Sequence, residues 1–218
     1  MEDTIKPIPL LTAEEQRVLG CLIEKSRTTP EYYPLTLNSL TAACNQKSSR
    51  RPVVSYDDNT VINALDSLKK KGLVATATGG SSRVVKYKHN LALAYPIIPA
   101  ELSILCLLLL RGPLTVGEIN TNAGRMFNFE SLEEVQQHLD KLSSEDPVMV
   151  VSLPKRPGQK EVRYMHLLGG TPDPDDSLYQ DDAPGTGNSG LEQRLTVVEQ
   201  ELADLKEAFS KLMKELMG

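Results

Sequence analysis

The sequence contains no tryptophan, and aromatic residues make up only 5% of its 218 residues. Its hydrophobic core must therefore be built mainly from leucine, valine, isoleucine and alanine. No cationic N-terminal segment is followed by an apolar run, so we expect no signal peptide. The longest apolar run, Leu102–Leu110, is far shorter than the ~20 residues that span a bilayer. We expect a cytoplasmic protein that does not enter a membrane.

Residues that carry catalytic or metal chemistry are also scarce. The three cysteines form no C-x-x-C pair, which predicts buried free thiols in a reducing compartment. The three histidines are not spaced as metal ligands, and no nucleophile or phosphate-binding motif is present. Asp57 and Asp58 are adjacent, so on a helix they point about 100° apart and suit helix capping better than acid–base catalysis. We expect a protein that is not an enzyme, with no metal and no cofactor.

Charge is distributed unevenly along the chain, whose formal net charge is −5. Residues 171–218 contain 11 acidic and 4 basic residues, whereas residues 45–90 contain 9 basic and 3 acidic ones. Residues 91–170 are slightly acidic, with 9 acids and 7 bases. One basic segment within an otherwise acidic chain is a pattern that favours an anionic partner for that segment.

An internal repeat organises the first 170 residues. "LTLNSLTAACN" (35–45) resembles "LTVGEINTNAG" (114–124), and "VINALDSLKKKGLV" (61–74) resembles "VQQHLDKLSSEDPV" (135–148). Two copies do not form a solenoid, so the repeat predicts two similar domains. The predicted segments are domain 1 (10–90), domain 2 (91–170), an acidic linker (171–190) and a C-terminal helix (191–217).

Each copy predicts three helices followed by a β-hairpin. In the first copy, Thr12 and Glu15 form a capping box, Thr36 begins a short second helix, and Ser55 with Asp58 begins the third. The runs "LVATAT" and "RVVKYKH" around "GGSS" predict the hairpin. This order is typical of the winged-helix arrangement, so the predicted fold class is mainly α with small β-hairpins (α+β), as tandem winged-helix domains plus a coiled-coil helix.

Three segments carry a resemblance to a known family. They are "RVLGCLIEKSRTTPEYYPLTLNSLTAACNQKSSRRPV", "LLLLRGPLTVGEI" and "RYMHLLGG". Together they closely resemble the YceH-type family of uncharacterised bacterial proteins, over roughly Leu10 to Gly170. The resemblance implies a tandem winged-helix fold in the bacterial cytoplasm, and it implies no particular activity.

The C-terminal segment has a strict heptad pattern. Apolar residues alternate spacings of four and three, which predicts a coiled-coil seam and a homo-oligomer, most simply a dimer. These residues are Leu191, Leu195, Val198, Leu202, Leu205, Phe209, Leu212 and Leu216. The alternative is an amphipathic helix that packs back on its own chain.

The first domain has the residues that a DNA-binding winged helix needs. Its third helix would enter the major groove, where asparagine can bond adenine and lysine can contact phosphate. Cations of the preceding loop and of the wing would contact phosphates as well. The candidate DNA-binding residues are Lys47, Arg50, Arg51, Asn59, Asn63, Lys70, Arg83, Lys86 and Lys88.

Some acidic residues argue against DNA. Asp66 lies on the outward face of the same predicted helix, and the second domain presents Glu133, Gln137, Asp140 and Ser144 at the matching positions. Two hypotheses therefore remain. The chain is a dimeric, regulator-like protein that binds double-stranded DNA through domain 1, or it is a protein-interaction scaffold that binds no DNA. In either case domain 2 is expected to pack on domain 1 or to bind another protein.

Overall fold

The computed structural model describes residues 7–77, 84–155 and 160–171. The described residues form seven α-helices and five short strands. The helices are α1 (Ala13–Thr28), α2 (Leu37–Cys44), α3 (Asp58–Lys70), α4 (Leu91–Ala94), α5 (Pro99–Arg111), α6 (Val116–Ala123) and α7 (Leu132–Ser144). The strands are β1 (Leu35–Thr36), β2 (Val74–Ala77), β3 (Lys86–His89), β4 (Val150–Leu153) and β5 (Arg163–His166). Mixed helices with small antiparallel sheets confirm the α+β class.

The repeat is visible in the order of the elements. The first half runs α1, α2, α3, β2, β3, and the second runs α5, α6, α7, β4, β5. In the first half β1 pairs with β3, giving a three-stranded sheet in the order β1-β3-β2. In the second half the same place is taken by a single bridge between Leu114 and Tyr164. Neither β1 nor α4 was predicted, because both are too short to produce a hydrophobic period.

Most of the predicted helix starts are confirmed. Thr12 and Glu15 form the capping box of α1, and the Thr36 side chain caps α2. In the second half the Thr115 and Ser131 side chains cap α6 and α7, and the Glu134 carboxylate accepts from the N–H of Glu130. A polar residue at each of these starts satisfies backbone N–H groups that have no partner within the helix.

The start predicted for α3 is wrong by two residues. Asp57, rather than Ser55, caps the helix, and its Oδ1 accepts from the N–H of Thr60 at 2.8 Å. Asp58 lies one residue into the helix, where its Oδ1 accepts a hydrogen bond from the Thr41 hydroxyl at 2.7 Å. That bond joins the start of α3 to α2, so Asp58 connects two helices.

The two halves pack against each other through α1 and α5. Gly20 of α1 lies directly against α5, where a Cβ built on it would come within 2.8 Å of the Leu110 side chain. The Cys106 thiol of α5 donates to the Gly20 carbonyl at 3.3 Å. Residues from both halves therefore contribute to one continuous hydrophobic core.

The predicted buried thiols are confirmed: Cys21, Cys44 and Cys106 are all free and buried. Among the described residues, no helix combines the length and the hydrophobicity that a bilayer crossing requires.

Candidate nucleic-acid interface

The third helix of the first half has one buried face and one exposed face. Its buried residues are Val61, Ala64, Leu65 and Leu68, and they pack into the shared core. The opposite face carries Asn59, Asn63, Asp66 and Lys70, and all four are exposed. The exposed face is the one that the 100° helical period predicts. Two amides and a lysine are thus able to meet a partner along about three turns of helix.

Asp66, the acid on this exposed face, has a basic partner next to it. The Lys69 ammonium lies 2.7 Å from its Oδ1, and this hydrogen bond and charge lower the pKa of Asp66. The same ammonium lies 5.8 Å from the ring centre of Tyr87 in β3. Lys69 therefore offsets the negative charge of Asp66, which argues against DNA binding. Its side chain also reaches from α3 to the hairpin strand β3. Lys69 was not among the predicted site residues, although its i,i+3 spacing from Asp66 was a usable signal.

The hairpin strand β3 carries two of the predicted cations. Lys88 is exposed and Lys86 is half-buried, and the register places them opposite Ala75 and Ala77 of β2. Alternation puts both lysines on one face of the sheet, as predicted. The predicted wing residue Arg83 lies outside the described residues.

The loop between α2 and α3 carries the other predicted cations, and it places them differently. Lys47 and Arg51 are exposed. The Arg51 backbone N–H donates to the Leu110 carbonyl at 2.8 Å, which attaches this loop to the end of α5. Lys47 lines a cleft that also includes residues of α5 and α6. The loop thus contacts the second half as well as leading into α3.

Arg50 is the predicted phosphate contact that the structure does not place at the surface. Its side chain has 0% exposure and forms a two-bond ion pair with Glu24 of α1, at 3.0 and 2.7 Å. Further donors reach the Ala43 and Ser49 carbonyls and the Gln46 side chain. Burial alone would lower the pKa of Arg50, but the hydrogen bonds and charge of Glu24 outweigh it and raise the pKa. Arg50 is therefore a structural residue that holds the loop to α1.

Arg17 is a second buried cation, and it was not among the predicted site residues. It is 4% exposed and donates to the Cys44 carbonyl at 3.1 Å and to the Pro52 carbonyl at 2.6 Å. Arg17 and Arg50 together bond the backbone at the end of α2 and in the middle of the loop before α3. A charged residue next to the apolar run that begins at Val18 was the available signal, but its partners are 27 and 35 residues away along the chain.

The matching helix in the second half exposes a different set of groups. Glu133, Gln137, Asp140 and Ser144 are all exposed on α7, as the repeat predicted. The Asp140 carboxylate accepts from the Gln136 amide at 2.7 Å, and no cation within the described ranges pairs with it. On the adjacent hairpin Lys155 and Lys160 are exposed, while Arg163 bonds Glu118 at 2.9 Å.

Two further predictions concern the C-terminal seam and metal ligands. The heptad residues Leu191 to Leu216 lie outside the described residues. Across the described parts of the chain, no three histidine, cysteine, aspartate or glutamate side chains are grouped as metal ligands.

Comparison with known proteins places the chain in a family. The model of the family described as "Protein of unknown function, DUF480" matches residues 11–159. A UPF0502 protein of Opitutus terrae is 52% identical over 167 residues, which is 76% of this chain and 73% of that protein. A UPF0502 protein of Geobacter sulfurreducens is 54% identical over 164 residues, covering 75% of this chain and 74% of that one.

The similarity to a third relative covers more of the chain. A UPF0502 protein of Shewanella loihica is 42% identical over 213 residues, covering 94% of this chain and 99% of the relative. The YceH-type resemblance of the sequence is consistent with these matches. The family match spans more than half of the chain. The chain in turn covers more than two thirds of the length of each of these relatives. The chain belongs to the DUF480 (UPF0502) family of bacterial proteins.

Proposed function

We propose that the chain is a non-enzymatic, regulator-like protein that binds double-stranded DNA through its first half and forms a dimer through residues 191–217. In this proposal each half is a winged helix, and α3 is the helix that enters the major groove. The proposal includes a cytoplasmic location, which the three buried free thiols favour. Its non-enzymatic part is based on the absence of a nucleophile motif from the sequence.

The observation that carries the proposal is the exposed face of α3. Asn59 and Asn63 are four residues apart and exposed, so their amides lie on one side of the helix. An asparagine amide can donate and accept at once, which matches the N6 and N7 edge of adenine. Lys70 at the end of the same face is suited to a phosphate contact. The Asp66–Lys69 ion pair reduces the repulsion that a lone carboxylate would cause.

The hairpin adds a second set of contacts in this proposal. Lys88 is exposed on β3. The contact between Lys69 of α3 and the Tyr87 ring of β3 shows that this strand lies beside α3. A winged helix of this type contacts the backbone that flanks the groove with its hairpin, so Lys86 and Lys88 are assigned to phosphates. Arg50 has no part in the interface.

The test is salt-dependent binding of a short random-sequence duplex by the intact chain, followed by fluorescence anisotropy. Affinity should fall steeply between about 50 and 200 mM salt, because bound phosphates release counterions. Lys70→Gln/Lys88→Gln should weaken binding and reduce the slope of log affinity against log salt by about two, one for each phosphate contact.

The matched control is Lys155→Gln/Lys160→Gln, which removes the same charge from exposed positions of the second hairpin. It should leave the slope nearly unchanged. Absence of binding at low salt would rule out the DNA function. Equal weakening in the two variants would show that the attraction is general and does not come from α3 and β3.

The dimer is tested separately. Deleting residues 188–218 should halve the molar mass measured by light scattering, because the deletion removes the complete heptad seam. An unchanged mass would exclude the C-terminal segment as the dimer contact.

The second candidate function is a protein-interaction scaffold, and the exposed face of α7 favours it. Glu133 and Asp140 are exposed there, and Leu132 at the start of the helix is 48% exposed. Carboxylates facing outward would repel phosphates but suit a basic protein surface. Failure of the intact chain to bind duplex DNA at low salt would leave this function as the one supported.

A further inference from the structure

We infer that a cleft between the two halves binds a small phosphate-bearing molecule. The cleft has a volume of about 790 Å³. It is lined by the end of α1, the loop between α2 and α3, the end of α5, and α6 with the turn that follows it. This volume falls within the roughly 300–1,000 Å³ of typical ligand sites. It exceeds what an inorganic phosphate would fill, so the ligand should carry an organic part as well.

The first observation is the charge of the lining. Four cations border the cleft: Lys25, Lys47, Arg111 and Arg125. Glu24 is its one carboxylate, and this group is already bound by Arg50 through two hydrogen bonds and lies 3.1 Å from Lys25. The cleft therefore has an excess of positive charge in a chain whose net charge is −5. Like charges gathered in a concave site concentrate anions there.

The second observation is that two of these cations have no internal partner. Lys47 and Arg125 are both exposed, and neither forms an ion pair or hydrogen bond with any residue in 7–77, 84–155 or 160–171. Arg125 belongs to the second half and Lys47 to the first, so a ligand held by both would join the halves. Ser48 also lines the cleft, and its hydroxyl is an uncharged donor of the kind that binds phosphate oxygens. The Asn122 amide, which donates one hydrogen to the Glu118 carbonyl, has a second hydrogen to offer.

The third observation is Arg111, at the end of α5. Its Nη2 donates to the Ser49 hydroxyl at 2.8 Å, while its buried Nε–H has no acceptor among the described residues. Burial lowers the pKa of Arg111, and the charges of Arg51 and Arg50 lower it further. Burial and the repulsion from these arginines outweigh the attraction of Glu24 and Glu118, and a bound phosphate would relieve that repulsion.

The fourth observation is the backbone of Ser49, which lines the cleft in the left-handed conformation with φ of 59°. This conformation is disfavoured for a residue with a Cβ and is often found where a loop grips a ligand. Arg50 Nη1 donates to the Ser49 carbonyl at 3.0 Å, and Arg111 bonds its side chain, so two arginines hold the turn. The loop is therefore held in a shape that keeps its polar groups at the cleft.

Phosphate fits this lining better than carboxylate. Arginine guanidinium groups and lysine ammonium groups around one cavity match the several oxygens and the two or more charges of a phosphate ester. The cleft does not use Asn59, Asn63 or Lys70, so the inference stands independently of DNA binding.

The test uses tripolyphosphate as the probe and the full chain, at constant ionic strength set with potassium chloride. Calorimetric titration should show saturable binding. Lys47→Gln/Arg125→Gln should weaken it at least about tenfold, because removing one charge-assisted hydrogen bond to the probe weakens binding by roughly that factor.

The matched control, Lys70→Gln/Lys88→Gln, removes the same charge outside the cleft and should bind the probe like the unmodified chain. All four substituted positions are exposed, so both variants should fold. Equal unfolding midpoints without the probe will verify that they do.

Four outcomes would overturn the inference. The first is no saturable binding of tripolyphosphate by the unmodified chain, and the second is equal affinity in the cleft variant. The third is citrate binding at least as tightly as tripolyphosphate, which would reject phosphate as the recognised group. If a short duplex displaces tripolyphosphate from the unmodified chain but not from Lys70→Gln/Lys88→Gln, the cleft lies on a DNA path, and the small-molecule assignment fails.

Discussion

The third helices of the two halves, α3 and α7, bury equivalent stripes and expose different chemistry. Val61, Leu65 and Leu68 of α3 are buried, and so are Val135, Leu139 and Leu142 of α7, at a constant separation of 74 residues. On the exposed faces, Asn59 and Asn63 are matched by Glu133 and Gln137, and Lys70 is matched by Ser144. Packing fixes the buried stripe, while the exposed face is free to change.

The same comparison explains why the outward aspartates differ. Asp66 is paired with Lys69, but Asp140 in the second half is followed at the same spacing by Ser143 and bonds a glutamine instead. One face is therefore nearly neutral around its acid and the other remains acidic. A shared fold does not carry a shared binding function, so each half must be assigned from its own surface.

The largest expected difference between the halves concerns Arg50. Arg50→Ala should lower the free energy of unfolding by about 3–5 kcal/mol, because it leaves the largely buried Glu24 carboxylate with only Lys25 as a partner. The substitution also removes the bonds to Ala43 and Gln46. In the second half, Arg125→Ala removes an exposed arginine and should change the free energy of unfolding by less than about 0.5 kcal/mol. Urea unfolding monitored by circular dichroism measures both.

A small decrease for Arg50→Ala would contradict the structural role of this arginine. The size of the expected decrease also shows why Arg50→Ala cannot test DNA binding. A partly unfolded chain would bind DNA more weakly whether or not Arg50 contacts DNA. Lys70 and Lys88 are exposed and avoid that difficulty.

Much of the fold could be predicted from local patterns. Thr12, Thr36 and Thr115 each precede an apolar helical period, and a cap acts on backbone groups only two or three residues away. The exposed face of α3 followed from the 100° period alone. Interactions between residues that are only a few positions apart can be predicted from the sequence.

The rest depends on contacts between distant residues. Arg50 was grouped with Lys47 and Arg51 because the three are close in sequence, but Glu24, 26 residues away on another helix, determines where its side chain goes. The cap of α3 was misplaced because Ser55, Asp57 and Asp58 are all suitable capping residues. Choosing among them depends on where α2 places Thr41, which bonds Asp58.

A pair of histidines at matching places in the two hairpins should behave alike in the two halves. His89 pairs with Val74 and His166 pairs with Val150, and burial lowers the pKa of each to about 4. An unfolded histidine has a pKa of about 6.5, so the unfolded chain binds more protons between these values and stability falls as pH drops from about 6.5 to 4.

His166→Gln should therefore reduce the decrease in unfolding free energy between about pH 7 and pH 5 by about 2 kcal/mol. His89→Gln should have a similar effect, although its pKa is lowered by burial and also by the charge of Arg27. Urea unfolding at several pH values gives the slope, which is the quantity to compare. A slope unchanged by His166→Gln would mean that this histidine is not held neutral in the folded chain.

The smallest effect concerns one helical glycine in each half. Replacing it with alanine should raise the free energy of unfolding in one half and lower it in the other. Gly117→Ala places a Cβ with nothing nearer than the Thr115 hydroxyl at 4.0 Å, so it should gain up to about 1 kcal/mol from helix propensity. Gly20→Ala places a Cβ 2.8 Å from Leu110 Cδ2 and 3.2 Å from Leu109 Cβ, where α1 meets α5. Overpacking should outweigh the propensity gain and cost about 1–2 kcal/mol. Thermal unfolding of both variants measures the two shifts, and a stabilised Gly20→Ala would show that α1 and α5 separate more easily than their close contact implies.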